Sequence, residues 1–329
     1  MTNMNCLFYE CATFNQQINF DTQNVNTMVG MFSGCSNFNS SIHFSTTNKV
    51  INMLGMFNGC SSINQPLTFD TVNVLNMLGM FSGCSNFNSN LSFSSTNNVI
   101  YMRKMFYNCY IFNKPLDFDT TNVVDMSEMF YGCNSFDKPV DFKTEQVRDM
   151  SGMFYNCNSF NQKVLFNTKN VINTVGMFNN CSSFNQPISM NTENVENMIG
   201  MFANCKKLNE KININTQSAT NLSGLFSGCE SFNQPIIINT KKTNSLFAIF
   251  HLCKSFNQTL NDWITDKVSN MRSLFQGCEA FNRPLTNWNT TNVKSMENMF
   301  KGCTFFDSAL NNIDTTNVEN MDNMFQNCS

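Results

Sequence analysis

A cysteine returns along this chain every 24 or 25 residues, from Cys11 through Cys35, Cys60 and Cys84 to Cys328, and marks out fourteen copies of one unit. A fixed period in this range is the mark of a solenoid, in which each copy is one small supersecondary unit that buries its apolar face only against its neighbours. Length alone would suggest two domains of about 150 residues each. No Pro-, Ser- or Gly-rich linker interrupts the array, however, so the repeat predicts a single solenoid domain over residues 1–329.

The ten residues before each Cys never change in length, and the position they start from is usually Val, as at Val25, Val50, Val74 and Val99. The extra residue of the longer copies always falls in the other half. A constant segment is expected to be the packed element and a variable one to carry a turn. In the constant segment Val74, Met77, Met80, Phe81, Cys84 and Phe87 typify the pattern V-x-x-M-x-x-M-F-x-x-C-x-x-F. Apolar residues three and four apart trace one buried helical face, which predicts a short helix ending near the Gly or Asn before Cys. Leu67-Thr68-Phe69 then alternates as a short strand does, and Pro66 or Pro115 stands just before it, where a missing N–H is tolerated. Helix followed by strand, repeated in one direction, gives an α/β solenoid with short parallel strands on one side and short helices on the other.

Three polar columns accompany the apolar ones. A Thr stands three residues before the Val position, as in Thr71 and Thr120, where its hydroxyl is expected to bond the turn backbone or the first free N–H groups of the helix. Asn64 and Asn88 belong to an Asn column expected to pair backbone groups left over at a bend. Cys35, Cys60 and Cys84 are expected to be buried, unreactive thiols. Helix packing would hold successive cysteines about 8–10 Å apart, beyond the roughly 7 Å limit for a bridge, whereas stacking at strand spacing would leave bridging open. There is no C-x-x-C and the two histidines lie far apart in the array, so neither a metal site nor a cofactor is expected.

Only 13% of residues are charged and the net charge is −3. The basic patches that hold nucleic acid are therefore not expected, and the pairs Lys206-Lys207 and Lys241-Lys242 read as solvated surface. No apolar run approaches the ~18 residues of a membrane-spanning helix, so no membrane insertion is expected. The segment Met1-Thr2-Asn3-Met4-Asn5-Cys6 has neither the basic nor the apolar region of a signal peptide. The phosphate-loop, nucleophile-elbow and zinc-protease motifs are missing. His43 is expected to point outward from a strand and His251 to be an exposed variable residue. No catalytic residue is assigned, and the chain reads as a non-enzyme.

Variation concentrates at the middle of each predicted strand. His43, Thr68, Ser92, Asp117, Asp141, Ser189 and Asn213 all occupy this place, between flanking positions that stay apolar. They form the candidate ligand-facing column, since extended solenoid surfaces are what such proteins use to bind partners. A merely solvent-facing column is the other reading of the same pattern.

One copy carries a wider resemblance. Phe281-Asn282-Arg283-Pro284-Leu285-Thr286-Asn287-Trp288-Asn289-Thr290, followed by Val293, Met296, Met299 and Phe300, is similar to the F-N-x-x-[LI]-x-x-W-x-T-x-x-V-x-x-M-x-x-M-F repeat of the BspA-like leucine-rich-repeat surface proteins. Earlier copies have L-x-F in place of L-x-x-W. The resemblance implies a right-handed leucine-rich-repeat solenoid. It also implies a role in adhesion or partner binding at a cell surface or virion, as on bacteria and mycoplasmas, parasitic protists or giant viruses. Two functions follow as expectations. The first is a non-catalytic scaffold for a protein or glycan ligand. The second is a structural block that assembles end to end, suggested by an array that begins at the Val position of a unit and stops one residue past Cys328 with no polar cap.

Overall fold

The computed structural model describes residues 1–328, and among them no helix forms. A residue with positive φ recurs at two places in the copy, five and nine positions after the Val, as at Gly79 (φ 58°) and Gly83 (φ 74°). Glycine reaches this left-handed region without a Cβ clash. Asn often fills the second place where glycine is absent, as in Asn108 (φ 56°) and Asn204 (φ 58°). Two left-handed residues four apart are incompatible with an α-helix, in which every φ is negative.

A chain of tight turns stands where the helix was expected. Met80 N–H donates to the Met77 carbonyl (3.1 Å), Ser82 to Gly79 (3.0 Å) and Cys84 to Phe81 (3.0 Å), each closing a four-residue turn. The intervening amides point along the array. Met77, Gly79, Phe81 and Gly83 donate to the carbonyls of Tyr101, Arg103, Met105 and Tyr107 in the next copy, at 3.0, 2.9, 2.9 and 2.7 Å. Every second N–H thus serves a turn and every other one serves the neighbour, which leaves the backbone paired without a helix. The apolar spacing has the same origin, because a turn brings the chain back to the same side after three residues. Periodicity alone therefore mimicked a helical face.

The copies are held by parallel pairing. In the unit Met1–Phe166, β1 (Ile18–Phe20) pairs with β2 (Ile42–Phe44), and β3 (Leu67–Phe69) with β4 (Leu91–Phe93), with Ile18 opposite Ile42 and Leu67 opposite Leu91. In the unit Asn167–Ser329, β5 (Ile188–Ser189) pairs with β6 (Ile212–Asn213). Elsewhere the same segment keeps its buried–exposed–buried alternation, as in Val140-Asp141-Phe142, without a regular ladder. A second line of parallel bridges runs two residues after the Val position, through Thr27, Asn52, Asn76, Tyr101 and Asp125 in the first unit and through Asn173, Asn197 and Asn221 in the second.

Each unit is filled by columns of like residues. Val74, Met77, Met80, Phe81, Cys84 and Phe87 are fully buried, as are Val195, Met198, Met201, Phe202, Cys205 and Leu208. Phe32, Phe57, Phe81 and Phe106 stack nearly parallel at 5.4, 5.5 and 5.6 Å between ring centroids. In the second unit Phe178, Phe202 and Phe226 do so at 5.6 and 5.5 Å. Offset stacking at such distances is favourable beyond area burial. The spacing also corrects the wider separation expected for the cysteines, because neighbouring copies lie at strand distance and not at helix-packing distance.

Candidate functional site

The polar columns act between copies. Asn64 Oδ1 accepts from the Asn88 backbone N–H (2.8 Å) and from Ser89 Oγ (3.0 Å), and Asn88 Oδ1 accepts from the Asn113 N–H (2.9 Å). Thr120 Oγ1 donates to the Lys143 carbonyl (2.9 Å), and Thr71 Oγ1 donates to the Ser95 carbonyl. These hydroxyls reach the turn of the next copy, which differs from the expected bond within their own turn or to a helix terminus.

The thiols of Cys35, Cys60 and Cys84 lie 2.9, 3.0 and 3.0 Å from the carbonyls of Phe8, Phe32 and Phe57, one copy back. Among the described residues no cysteine is joined in a disulfide. Burial pushes the Cys35 thiol up to about 11 and the Cys84 thiol well above the ordinary range, because the thiolate would lose its water. No cluster of three or more His, Cys, Asp or Glu that could hold a metal occurs among the described residues. No helix among them is long and apolar enough to cross a membrane.

The residues that vary are those that reach solvent. His43, Thr68, Ser92, Asp117 and Asp141 are exposed in the first unit, and Ser189 and Asn213 in the second. Within the paired strands the column is in register, with Asn19 opposite His43, Thr68 opposite Ser92 and Ser189 opposite Asn213. His43 Nδ1 sits 3.4 Å from Gln17 Nε2. Two apolar members of the same column, Leu165 and Ile237, are 83% and 87% exposed. Outside the column, His251 departs from its expected exposure. It is half-buried, its Nδ1 lies 3.3 Å from Ser227 Oγ, and burial lowers its pKa. Lys206 pairs with Glu230 at 3.3 Å, as does Lys254 at 2.8 Å.

Sequence reasoning missed the two left-handed positions, although the recurring G-x-x-x-G of Gly30 and Gly34, Gly55 and Gly59, and Gly79 and Gly83 was a readable signal. It also passed over a stack of three half-buried tyrosines, Tyr107, Tyr131 and Tyr155, at 4.7 and 4.6 Å.

Parallel pairing of short extended segments, turns between them and continuous buried columns define a leucine-rich-repeat solenoid fold. Solved structures agree. A leucine-rich cell surface protein from Faecalibacterium prausnitzii matches with a TM-score of 0.51 at 14% identity, over 94% of this chain and 88% of its own. A leucine-rich-repeat protein from Bacteroides ovatus matches with a TM-score of 0.51 at 13% identity, over 100% of this chain and 80% of its own. The resemblance to BspA-like leucine-rich-repeat proteins drawn from the repeat motif thus holds at the level of the fold. The chain belongs to the family described as "Mycoplasma protein of unknown function, DUF285", whose model matches residues 1–69, 45–142, 67–165, 140–238, 189–265 and 236–329. No curated protein matches it.

Proposed function

We propose that this protein is a non-catalytic binding scaffold displayed at a cell surface, which recognises a protein or glycan through the exposed column of its short extended segments. One observation carries the reading. From His43 to Thr68, Ser92 and Asp117 the side chain changes at each step while it stays exposed, and the residues flanking it in each segment stay apolar and are buried or half-buried. The surface location is supported by the cell surface protein of Faecalibacterium prausnitzii, which shares the fold.

The test is a glycan array and a panel of immobilised extracellular-matrix proteins probed with the protein and with the variant His43→Ala/Thr68→Ala/Ser92→Ala. Binding that the triple variant loses, at unchanged stability, supports the proposal. Absence of binding to both panels, or binding that the variant retains, counts against it.

A further inference from the structure

Three neighbouring copies in the unit Met1–Phe166 carry tyrosine eight residues after the Val position, at Tyr107, Tyr131 and Tyr155. Three earlier copies have Ser33, Asn58 and Ser82 there, so the turn segment does not itself require a ring at this place. The three rings are half-buried and stack along the array. Tyr107 and Tyr131 lie 4.7 Å apart between centroids with planes 15° from parallel, and Tyr131 and Tyr155 lie 4.6 Å apart and 4° from parallel.

The two pairs differ in their surroundings, because the residue five after the Val is Lys104 in the first copy, Glu128 in the second and Gly152 in the third. Lys104 Nζ stands 5.2 Å over the Tyr107 ring, and a cation above an aromatic face opposes removal of an electron from it. Burial, the phenols of Tyr155 and Tyr107 and, last, the Glu128 carboxylate raise the Tyr131 pKa, so Tyr131 is a neutral phenol beside an anion. Gly152 leaves the second pair uncovered on one side. A Cβ there would lie 3.6 Å from Tyr131 Cδ2 and 3.8 Å from Tyr155 Cβ.

We propose that this stack is a site of oxidative cross-linking, in which hydrogen peroxide acting through a haem peroxidase joins Tyr131 to Tyr155 by a carbon–carbon bond. Each phenol gives up one electron and its hydroxyl proton, and the unpaired spin of the resulting phenoxyl radical reaches the Cε carbons beside the oxygen. Coupling of two such carbons forms the bond. Their ring protons then move to the oxygens and restore both phenols. Two hydrogen atoms are lost in all, and one peroxide takes them up as two waters. Rings already held face to face couple within one molecule, without the cost of bringing two reactants together. The product ties one copy covalently to the next through the turn segments, and it is independent of any ligand of the exposed column.

The test oxidises the full chain with hydrogen peroxide and a haem peroxidase after the exposed thiols of Cys6 and Cys11 have been blocked by alkylation. The expected result is dityrosine fluorescence whose yield per chain is unchanged on dilution, with a digest containing one main cross-linked peptide that joins Tyr131 to Tyr155. Tyr155→Phe should lose this product, Tyr107→Phe should keep it, and oxidation of the urea-unfolded chain should not select it. Links made chiefly through Tyr9, Tyr101 or Tyr110, a yield that falls on dilution, or no dityrosine in the folded chain overturns the proposal. Peptide mapping of the unsubstituted chain decides the matter even if a variant folds poorly.

Discussion

Replacing a glycine at a left-handed position by alanine separates the turn-built unit from a helical one by the sign of its effect. Gly79 has φ 58°, and a Cβ placed on it would meet nothing closer than Ser82 Cβ at 3.7 Å. Gly79→Ala therefore carries only the backbone penalty of a left-handed L-residue, roughly 1–2 kcal/mol. Gly132 has φ 74°, and its Cβ would lie 2.3 Å from Asn108 Oδ1 and 3.4 Å from Asn108 Cα. Gly132→Ala must pay the same penalty and also displace the Asn108 side chain, so it should cost more, about 2–3 kcal/mol with one lost or strained contact added. In a background of Asn108→Gly the excess should vanish, because the obstructing atom is gone, and the cost should return to that of Gly79→Ala. Urea unfolding with an unchanged slope reads these differences as midpoint shifts, and the double-mutant cycle isolates the Asn108–Gly132 term. Were the segment an exposed helix, both alanines would stabilise by roughly 1 kcal/mol. A rise in midpoint for either single variant would refute the turn geometry.

Further outcomes follow from the columns. Asn64→Ala removes the acceptor of the Asn88 N–H at a solvent-exposed bond and should cost about 0.5–1.5 kcal/mol in urea unfolding, whereas Asn64→Asp should cost less, since Asp137 accepts the Asn161 N–H at 2.9 Å in the same role. Phe81→Ala removes a fully buried ring stacked on Phe57 and Phe106 and should cost about 3–5 kcal/mol. Thiol titration of the native protein should modify the exposed Cys6 and Cys11 first, and denaturation without reductant should release all fifteen thiols; a smaller total would mean bridges. The pH dependence has a definite sign. Burial raises the folded pKa of Cys35 to about 11 against about 8.5 unfolded, so the folded state binds more protons in between. Its contribution is whole below about pH 8.5 and declines by up to about 1.4 kcal/mol per pH unit as pH rises toward the folded value. The urea midpoint should therefore fall on the alkaline side, and Cys35→Ala should make that fall shallower.

Much of this architecture was readable from residues. The Cys and Val columns gave the period, Leu67-Thr68-Phe69 gave the extended segment that pairs as β3, and the same alternation placed Thr68 on the outside. The helix was misread because the chained turns bury residues at three- and four-residue steps, as a helix does. Hydrophobic spacing cannot distinguish the two, but the backbone demand of Gly79 and Gly83 can. The direction of the polar bonds was not readable either. Whether Thr120 bonds its own turn or the next one depends on how far apart the copies stack, and that spacing is set by parallel pairing. The unpartnered Trp263 indole N–H arises where two copy lengths meet. Its signal was present in the change from Ile236-Ile237-Ile238 to Leu260-Asn261-Asp262-Trp263, but the unmatched N–H appears only once the copies are packed.

The claim on which the account rests is that the constant segment bonds to its neighbour and not to itself. Nuclear magnetic resonance couplings transmitted across hydrogen bonds test it directly, because each one names the donor and the acceptor. The account predicts a coupling from the Gly79 amide to the Arg103 carbonyl carbon and from Phe81 to Met105, both bonds being 2.9 Å long. Couplings from Gly79 to Leu75 and from Phe81 to Met77, four residues back as in an α-helix, would contradict it.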